Sequence, residues 1–244
     1  MLDDCFAPAD RGLARPTNIE SLSFIMLYDI SLRARSLPRR ILRGIKRRIH
    51  NLRLRPYLAR TEGYSFTCDW TSNNIPNWLV WLAPFCNQPG VRMLEIGSFE
   101  GRSTIWFLEN ILSDSSAHLT CIDWPGDLRF DHNLRVSGQF NKVTKMQARS
   151  EDILPGIVPS SMDIIYIDGS HYVYDVLVDA VLAWRLLKPA GVMIFDDYLW
   201  EPNFPASDRP QRAIDLFLEI FAGQFTLLGK GYQVAIRREF AAPF

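Results

Sequence analysis

Two short, almost uninterrupted apolar runs constrain the fold of this chain more than any other feature. The runs are Ile164–Ile167 and Val192–Phe195, and strands that are apolar on both faces belong to sheets covered on both sides. The helical spacing of the apolar residues between them predicts an amphipathic helix with a stripe made of Val173, Val176, Leu177, Ala180, Val181, Trp184 and Leu187. We expect Asp175 and Asp179 to face away from that stripe. A strand, a helix and a strand in this order predict a right-handed crossover within a parallel sheet.

The same alternation of short apolar runs and helical stretches continues from residue 64 to residue 236. The predicted strands are Val91–Ile96, His118–Ile122, Lys142–Gln147, Met162–Ile167, Gly191–Phe195, Phe225–Gly229 and Tyr232–Ile236. A further helix is predicted to begin at Ile75, with Pro76 in its first turn. The last two strands have no helix between them and meet at Gly229–Gly231, which predicts a terminal hairpin. The prediction is an α/β fold with a doubly wound, mostly parallel sheet of seven strands.

The charges divide the chain into two parts although its formal net charge is zero. Residues 1–60 contain 13 Lys and Arg against 5 Asp and Glu, whereas the remaining residues contain 14 against 22. We therefore predict a basic, helical N-terminal extension or lid over residues 1–62 and a main domain over residues 63–244. A weak helical signal also covers residues 19–32.

Residues 33–60 have 11 basic side chains and no acidic one. Ile41, Ile45, Ile49 and Leu52 fall on one side of a helix, which indicates a basic amphipathic helix. Such a helix can cover the core of its own protein, lie on an anionic membrane surface or contact nucleic acid. The first reading is favoured and peripheral membrane contact stays open, whereas no nucleic-acid partner is expected because stacking aromatic residues are not interleaved with the basic ones.

The four cysteines form no CxxC pair and no cluster with zinc spacing. No apolar run approaches the roughly 20 residues of a membrane span. The first residues lack the basic segment of a secretory signal. From these features we expect a cytoplasmic protein, and the sequence leaves a homo-oligomer open.

A glycine loop follows the first predicted strand. Gly97 and Gly101 lie four residues apart between that strand and a predicted helix, so the chain turns where a Cβ would obstruct a ligand and the helix starts close to the strand. A dinucleotide site would require glycine at position 99, but the residue there is Phe99. Glu95 beside the loop repels a pyrophosphate and suits a cationic amino-acid ligand. The loop alone is also compatible with a plain βα turn.

The segment from Glu95 to Gly101 resembles motif I of the class I S-adenosylmethionine-dependent methyltransferases. Cys121–Asp123 is similar to the end of their second strand, whose acidic residue binds the ribose, and Gln147–Asp152 resembles the segment that borders the adenine. The resemblance covers roughly residues 64–238 and implies a Rossmann-like fold with S-adenosylmethionine as cofactor. Phe99 departs from it, because many members have glycine there. The cofactor-binding residues that it implies are Glu95, Gly97, Ser98, Gly101, Ser103, Asp123, Ser150 and Asp168.

Acidic residues also follow the fourth and fifth predicted strands. Asp168 ends one strand, and Asp196 and Asp197 end the other, so a parallel sheet places all three at one edge. Neighbouring carboxylates repel one another unless a proton or a cation intervenes. Oxygen ligands favour Mg²⁺ or Ca²⁺ over zinc. His171 lies one helical turn after Asp168 and has the ordinary pKa of a general base, although a lone histidine is more often structural.

This set resembles the metal-dependent O-methyltransferases that act on sugars and other small molecules. The resemblance implies that Asp168, Asp196 and Asp197 bind Mg²⁺ and that His171 or Asp168 is the catalytic base. We therefore predict methylation of a hydroxyl on a sugar, a phenol or a small metabolite. A nicotinamide-dependent oxidoreductase and a non-catalytic protein that binds an adenosyl ligand are the alternatives.

Other residues near these motifs have two readings each. Cys68–Trp78 can fold over the cofactor or the substrate, or serve only as the capped start of a helix with buried tryptophans. Tyr172, Tyr198 and Trp200 can stack on a substrate ring or pack beneath loops. Arg102 is expected to be a solvated residue at the start of a helix.

Overall fold

The computed structural model describes residues 61–200, 203 and 205–239. The helical signal at 19–32, the basic helix at 33–60 and nearly all of the predicted extension 1–62 lie outside these residues. The domain boundary, the membrane contact and the homo-oligomer therefore stay predictions. Within the described ranges, no helix has the length and apolar character needed to cross a membrane.

A sheet of seven strands forms the centre of the described residues. The strands are β1 (Arg92–Ile96), β2 (His118–Asp123), β3 (Val143–Gln147), β4 (Met162–Ile167), β5 (Leu187–Phe195), β6 (Phe225–Lys230) and β7 (Val234–Arg238). Their order across the sheet is β3-β2-β1-β4-β5-β7-β6. Strands β1 to β5 are parallel, and β7 is antiparallel to both β5 and β6. The predicted fold class is confirmed.

In the part of the chain that the structure describes, six α-helices connect or flank the strands. They are α1 (Ile75–Trp81), α2 (Arg102–Asn110), α3 (Leu128–Ser137), α4 (Ser150–Ile153), α5 (Val173–Trp184) and α6 (Pro210–Ile220). Trp78 of α1 packs on Phe107 of α2 and Tyr166 of β4, with ring centroids 4.5 and 5.4 Å apart. Trp184 of α5 packs on Phe217 of α6 at 5.7 Å. Because alternate strand residues point to opposite faces, these two aromatic clusters cover the two faces of the sheet.

Two predicted features differ from the structure. The hairpin turn lies at Gly231–Gln233 rather than at Gly229–Gly231, because β6 continues to Lys230 through a register shift and β7 begins only at Val234. On α5, Asp179 is buried and Val181 is exposed, so the prediction that Asp179 faces away from the core is wrong. The physical reason is a hydrogen bond from Ser150, which compensates the buried Asp179 carboxylate.

Candidate active site

The glycine loop after β1 touches the end of β4 through the backbone. Gly97 has φ +82°, and a Cβ built on it would lie 2.0 Å from the carbonyl oxygen of Asp168. Gly101, also at φ +82°, precedes α2, and its Cβ would lie 2.9 Å from the ring of Phe130 in α3. A Cβ at either position would clash, as expected, but the atoms that it would meet belong to the protein itself rather than to a ligand.

Asp123 at the end of β2 holds the same loop from the other side. Its Oδ2 atom accepts hydrogen bonds from the backbone N–H of Ser98 (3.0 Å), the hydroxyl of Ser98 (3.2 Å) and the backbone N–H of Phe99 (2.6 Å). The carboxylate therefore fixes the loop and lines the cavity beside it. Its position at the carboxyl edge of the sheet is where open α/β folds bind ligands.

Phe99 occupies the position where the resembling motif often has glycine. Its φ of +44° is a left-handed conformation that costs free energy for a residue with a Cβ. The ring stacks on Trp70 with centroids 5.7 Å apart, and the Arg129 guanidinium lies 5.6 Å from its centroid. These contacts offset the backbone strain and place an aromatic pair at the rim of the cavity.

Glu95 is fully buried in β1 and points away from the cavity. Its carboxylate accepts hydrogen bonds from the hydroxyls of Ser103 (2.6 Å) and Thr104 (2.5 Å) in α2. Burial raises the pKa of Glu95 to about 7. The structure does not bring Glu95 to the position from which it could contact a cofactor directly; instead it connects β1 to the first turn of α2.

The cavity between the loop and the acidic edge has a volume of about 1260 Å³, which is enough for an adenosyl cofactor and a small acceptor together. Most of the predicted cofactor residues line it: Gly97, Ser98, Ser103, Asp123, Ser150 and Asp168. Glu95 and Gly101 do not line the cavity. The structure therefore brings together residues from four strand ends that are far apart in the sequence.

Asp168, His171 and Asp197 form a cluster at the other end of the cavity. One ligand atom from each lies within 4.8 Å of the other two. Nε2 of His171 lies 2.6 Å from Oδ2 of Asp197, and the His171 ring packs on Trp200 at 4.6 Å. This geometry suits either a metal ion or a histidine–carboxylate pair that moves a proton.

Asp196 differs from the predicted arrangement. Its Oδ2 accepts hydrogen bonds from Asn74 (3.2 Å), Gln233 (3.0 Å) and the Tyr166 hydroxyl, and its Oδ1 accepts from the backbone N–H of Asp197 (2.8 Å). Both oxygens are thus used inside the protein. Asp168 and Asp197 lie together with His171 rather than with Asp196, and the metal set Asp168, Asp196 and Asp197 stays a prediction.

The electrostatics of the cluster follow from burial and from like charges. Burial, followed by the charges of Asp196 and Asp197, raises the pKa of Asp168 well above the ordinary aspartate value. Burial and Asp197 raise the pKa of Asp196 to about 6. The hydrogen bond with Asp197 raises the pKa of His171. The cluster therefore favours whatever reduces its negative charge, either a proton or a cation.

The residues of Cys68–Trp78 have both kinds of surroundings that the sequence left open. Asp69, Trp70 and Asn77 line the cavity, while Trp78 is buried in the core. Arg102 is not the solvated residue that we expected. Its guanidinium contacts Asp69 at 2.9 Å and the Cys68 carbonyl at 3.1 Å, so it ties this segment to α2.

The three aromatic residues near the cluster have different surroundings. Tyr198 is buried and donates to Asp215 at 3.0 Å, so it packs beneath the loop. Trp200 contacts His171, and Tyr172 is exposed. Sequence reasoning overlooked Tyr232, which donates to Asp197 at 2.7 Å. The antiparallel hairpin was the signal that could have identified it, because its turn must return to the end of β5.

Residues 94–198 match the family model described as a methyltransferase domain. The chain is therefore similar to methyltransferases over these residues. The O-methyltransferase hkm8 of Aspergillus hancockii is 30% identical over 126 residues, which cover 50% of the chain and 49% of the relative. The chain thus spans about half the length of that curated relative.

Solved structures of methyltransferases share this fold. The O-methyltransferase TomG of Streptomyces achromogenes, which is involved in tomaymycin synthesis, was solved with S-adenosylmethionine. It is 22% identical with a TM-score of 0.54, over 70% of this chain and 82% of TomG. The methyltransferase MycE of the mycinamycin pathway was solved with Mg and S-adenosylhomocysteine. It is 15% identical with a TM-score of 0.52, over 78% of this chain and 54% of MycE.

Proposed function

We propose that this protein transfers a methyl group from S-adenosylmethionine to a hydroxyl of a small molecule in a Mg²⁺-dependent reaction. The observation that carries the proposal is that the cluster of Asp168, His171 and Asp197 opens into the same cavity as the Asp123-anchored glycine loop. The curated relative hkm8 is an O-methyltransferase, and MycE was solved with Mg, S-adenosylhomocysteine and mycinamycin VI. Both support the reaction class.

The glycine-loop end of the cavity is proposed to hold the cofactor. Gly97, Ser98 and Ser103 would contact its amino-acid end, and Asp123 would accept the ribose hydroxyls. Ser150, which opens α4 and bonds to Asp179, would border the adenine. Glu95 would act indirectly, because it holds Ser103 in place. When bound, the cofactor supplies an electrophilic methyl group on a sulfonium.

The donor set fits Mg²⁺. Asp168 and Asp197 offer carboxylate oxygens, which a hard divalent cation prefers, and two protein ligands leave positions for water and for substrate oxygens. Like-charge repulsion at Asp168 is the cost that such a cation would remove. When bound, Mg²⁺ would lower the pKa of a coordinated hydroxyl. Asp196 would contribute only by holding the backbone of Asp197.

His171 is proposed as the general base. Asp197 accepts a hydrogen bond from Nε2, so the free lone pair of the neutral ring is on Nδ1. That nitrogen would remove the proton of the acceptor hydroxyl, and the Asp197 carboxylate would stabilise the resulting imidazolium. Asp168 is the alternative base if the metal is held by Asp197 alone.

The acceptor is proposed to be a sugar, a phenol or another small metabolite. Asn73 and Asn77 offer amide groups in the lining of the cavity, and Trp200 offers an aromatic face beside His171. Such a combination suits a polyhydroxylated ring.

Calorimetric titration with S-adenosylhomocysteine, followed separately by NAD⁺, tests the cofactor. Methyl transfer to a panel of vicinal diols (catechol, a flavonoid and a methyl glycoside) with MgCl₂ or with EDTA then tests the chemistry. We expect binding of the adenosyl compound only, Mg²⁺-dependent transfer, and loss of at least about 100-fold in rate for His171→Ala. Asp175→Asn removes a cavity carboxylate outside the cluster and is the control. Tight NAD⁺ binding, or full turnover in His171→Ala, contradicts the proposal.

A further inference from the structure

The turn of the terminal hairpin reaches the acidic cluster. Strand β7 runs antiparallel to β5 and pairs Val234 with Phe195, so the residues just before Val234 lie at the carboxyl end of β5. The backbone N–H of Tyr198 donates to the carbonyl of Tyr232 at 2.9 Å and fixes the turn there. The last element of the sheet thereby contributes to the edge that contains the cluster.

Two consecutive residues of this turn bind the two consecutive aspartates. The side-chain amide of Gln233 donates to Asp196 at 3.0 Å, and its carbonyl accepts from the indole of Trp78 at 3.0 Å. The Tyr232 hydroxyl donates to Oδ1 of Asp197 at 2.7 Å. Gln233 is buried, whereas 47% of Tyr232 is exposed and its side chain lines the cavity.

The two oxygens of Asp197 therefore have different partners. Oδ1 accepts from Tyr232, and Oδ2 lies 2.6 Å from Nε2 of His171. A carboxylate with only one partner can still rotate about its Cβ–Cγ bond, because this terminal torsion is broad. A second partner fixes the plane of the group and the direction of its remaining lone pairs. Asp197 also has φ +56°, so its backbone is held in a strained conformation that the surrounding contacts must maintain.

We propose that Tyr232 is a positioning residue whose hydroxyl fixes the plane of the Asp197 carboxylate, directing Oδ2 to His171 and the remaining lone pairs to the metal position. The inference rests on the proposed function, because it assigns a part to a residue of that same site. Tyr232 acts through Asp197 and takes no proton itself. A residue that hydrogen-bonds to a metal ligand commonly contributes about 10- to 100-fold to the metal affinity.

The hydroxyl can be removed without removing the elements that hold the hairpin. The Tyr198–Tyr232 hydrogen bond is between backbone atoms, and the buried anchor of the turn is Gln233. Tyr232→Phe should therefore fold. Tyr198→Phe is the matched control, because its hydroxyl belongs to the same region but donates to Asp215 and not to Asp197.

The first measurement needs no metal. In ¹⁵N-histidine-labelled protein, the Nε2–H resonance of His171 reports the contact with Asp197. We expect this proton to exchange with water at least about tenfold faster in Tyr232→Phe, because Asp197 is no longer fixed, and to exchange at the original rate in Tyr198→Phe. An unchanged rate in Tyr232→Phe overturns the inference.

The second measurement is calorimetric titration with Mg²⁺ alone. We expect Tyr232→Phe to bind Mg²⁺ at least about tenfold more weakly than the wild type, and Tyr198→Phe to bind it with nearly the wild-type affinity. Adding Tyr232→Phe to Asp197→Asn should cause no further loss of Mg²⁺ affinity. Additive losses in the double variant contradict the inference and would also identify a general folding defect. If the wild type does not bind Mg²⁺, the metal part of the proposed function fails, while the histidine exchange measurement still decides the role of Tyr232.

Discussion

Gly97 and Asp168 meet backbone to backbone: a Cβ added to the glycine would lie 2.0 Å from the aspartate carbonyl oxygen. The first residue of the proposed cofactor loop and the last residue of the β4 edge are thus held against each other. The proposed cofactor end and the proposed metal end of the cavity are therefore in direct backbone contact.

Gly97→Ala should destabilise the protein by about 3 kcal/mol or more, because the clash is with backbone and the conformation is left-handed. Urea unfolding measures the loss. Gly138→Ala is the control, since Gly138 has φ +69° but no atom lies within 4 Å of its added Cβ. Gly138→Ala should lower the free energy of unfolding by only about 1 kcal/mol, because its one cost is the left-handed conformation. Equal losses in the two variants would contradict the close approach.

Asp123→Asn should weaken binding of S-adenosylhomocysteine about 10- to 100-fold, because the loop loses a charged acceptor for two backbone N–H groups. Calorimetry measures the affinity. Asp127→Asn is the matched control: it also lines the cavity, and asparagine can still cap α3 as Asp127 does. If both variants lost affinity for S-adenosylhomocysteine to a similar extent, the cause would be the lost negative charge in the cavity and not the contacts of Asp123 with the loop.

Glu95→Gln should change how stability depends on pH. The folded-state pKa of Glu95 is raised from 4.5 to about 7, so the folded protein prefers the neutral carboxyl. The stabilisation from this group is complete below pH 4.5 and is lost as the pH rises to about 7. Between pH 4.5 and pH 7 the free energy of unfolding of the wild type should fall by about 3 kcal/mol relative to that of Glu95→Gln, because glutamine cannot ionise.

Urea unfolding from pH 4.5 to pH 8 tests the Glu95 prediction through the difference between the two proteins. Glu219→Gln removes a charge from an exposed position on α6 and controls for the change in net charge. A constant difference between wild type and Glu95→Gln across the range would mean that Glu95 titrates as it does in the unfolded chain.

Glu100→Gln should release the segment before α1. The buried Glu100 carboxylate accepts from the backbone N–H (2.7 Å) and hydroxyl (2.6 Å) of Thr67 and lies 2.8 Å from the Arg129 guanidinium. We expect a loss of about 2 kcal/mol in the free energy of unfolding and faster amide hydrogen exchange at residues 64–70. Glu109→Gln loses only a 3.4 Å contact with Tyr64 and should leave the exchange nearly unchanged.

The sheet and its acidic edge could be predicted because their causes are local in the sequence. Buried parallel strands must be apolar on both faces, and their carboxyl ends must share one edge. These two facts were enough to place Gly97, Asp123, Asp168 and Asp197 around one cavity. The position of Glu95 could also have been deduced, because strand alternation puts it on the opposite face from Leu94 and Ile96.

The remaining features depend on partners that no local pattern reports. The burial of Asp179 requires Ser150, 29 positions earlier. The saturation of Asp196 requires Asn74 and Gln233, from the two ends of the domain. Helical or strand periodicity describes the face on which a residue lies, but it does not describe which side chain from another element will meet it there.

The contacts of the hairpin turn have a consequence for the order in which the site is completed. Asp196 and Asp197 are synthesised before Tyr232 and Gln233, and strands β6 and β7 must fold before the turn can reach them. During synthesis the parallel strands can form first, but the aspartate pair then lacks the hydrogen bonds from Tyr232 and Gln233. Closure of the terminal hairpin is thus the step that completes the hydrogen bonding of the proposed catalytic centre.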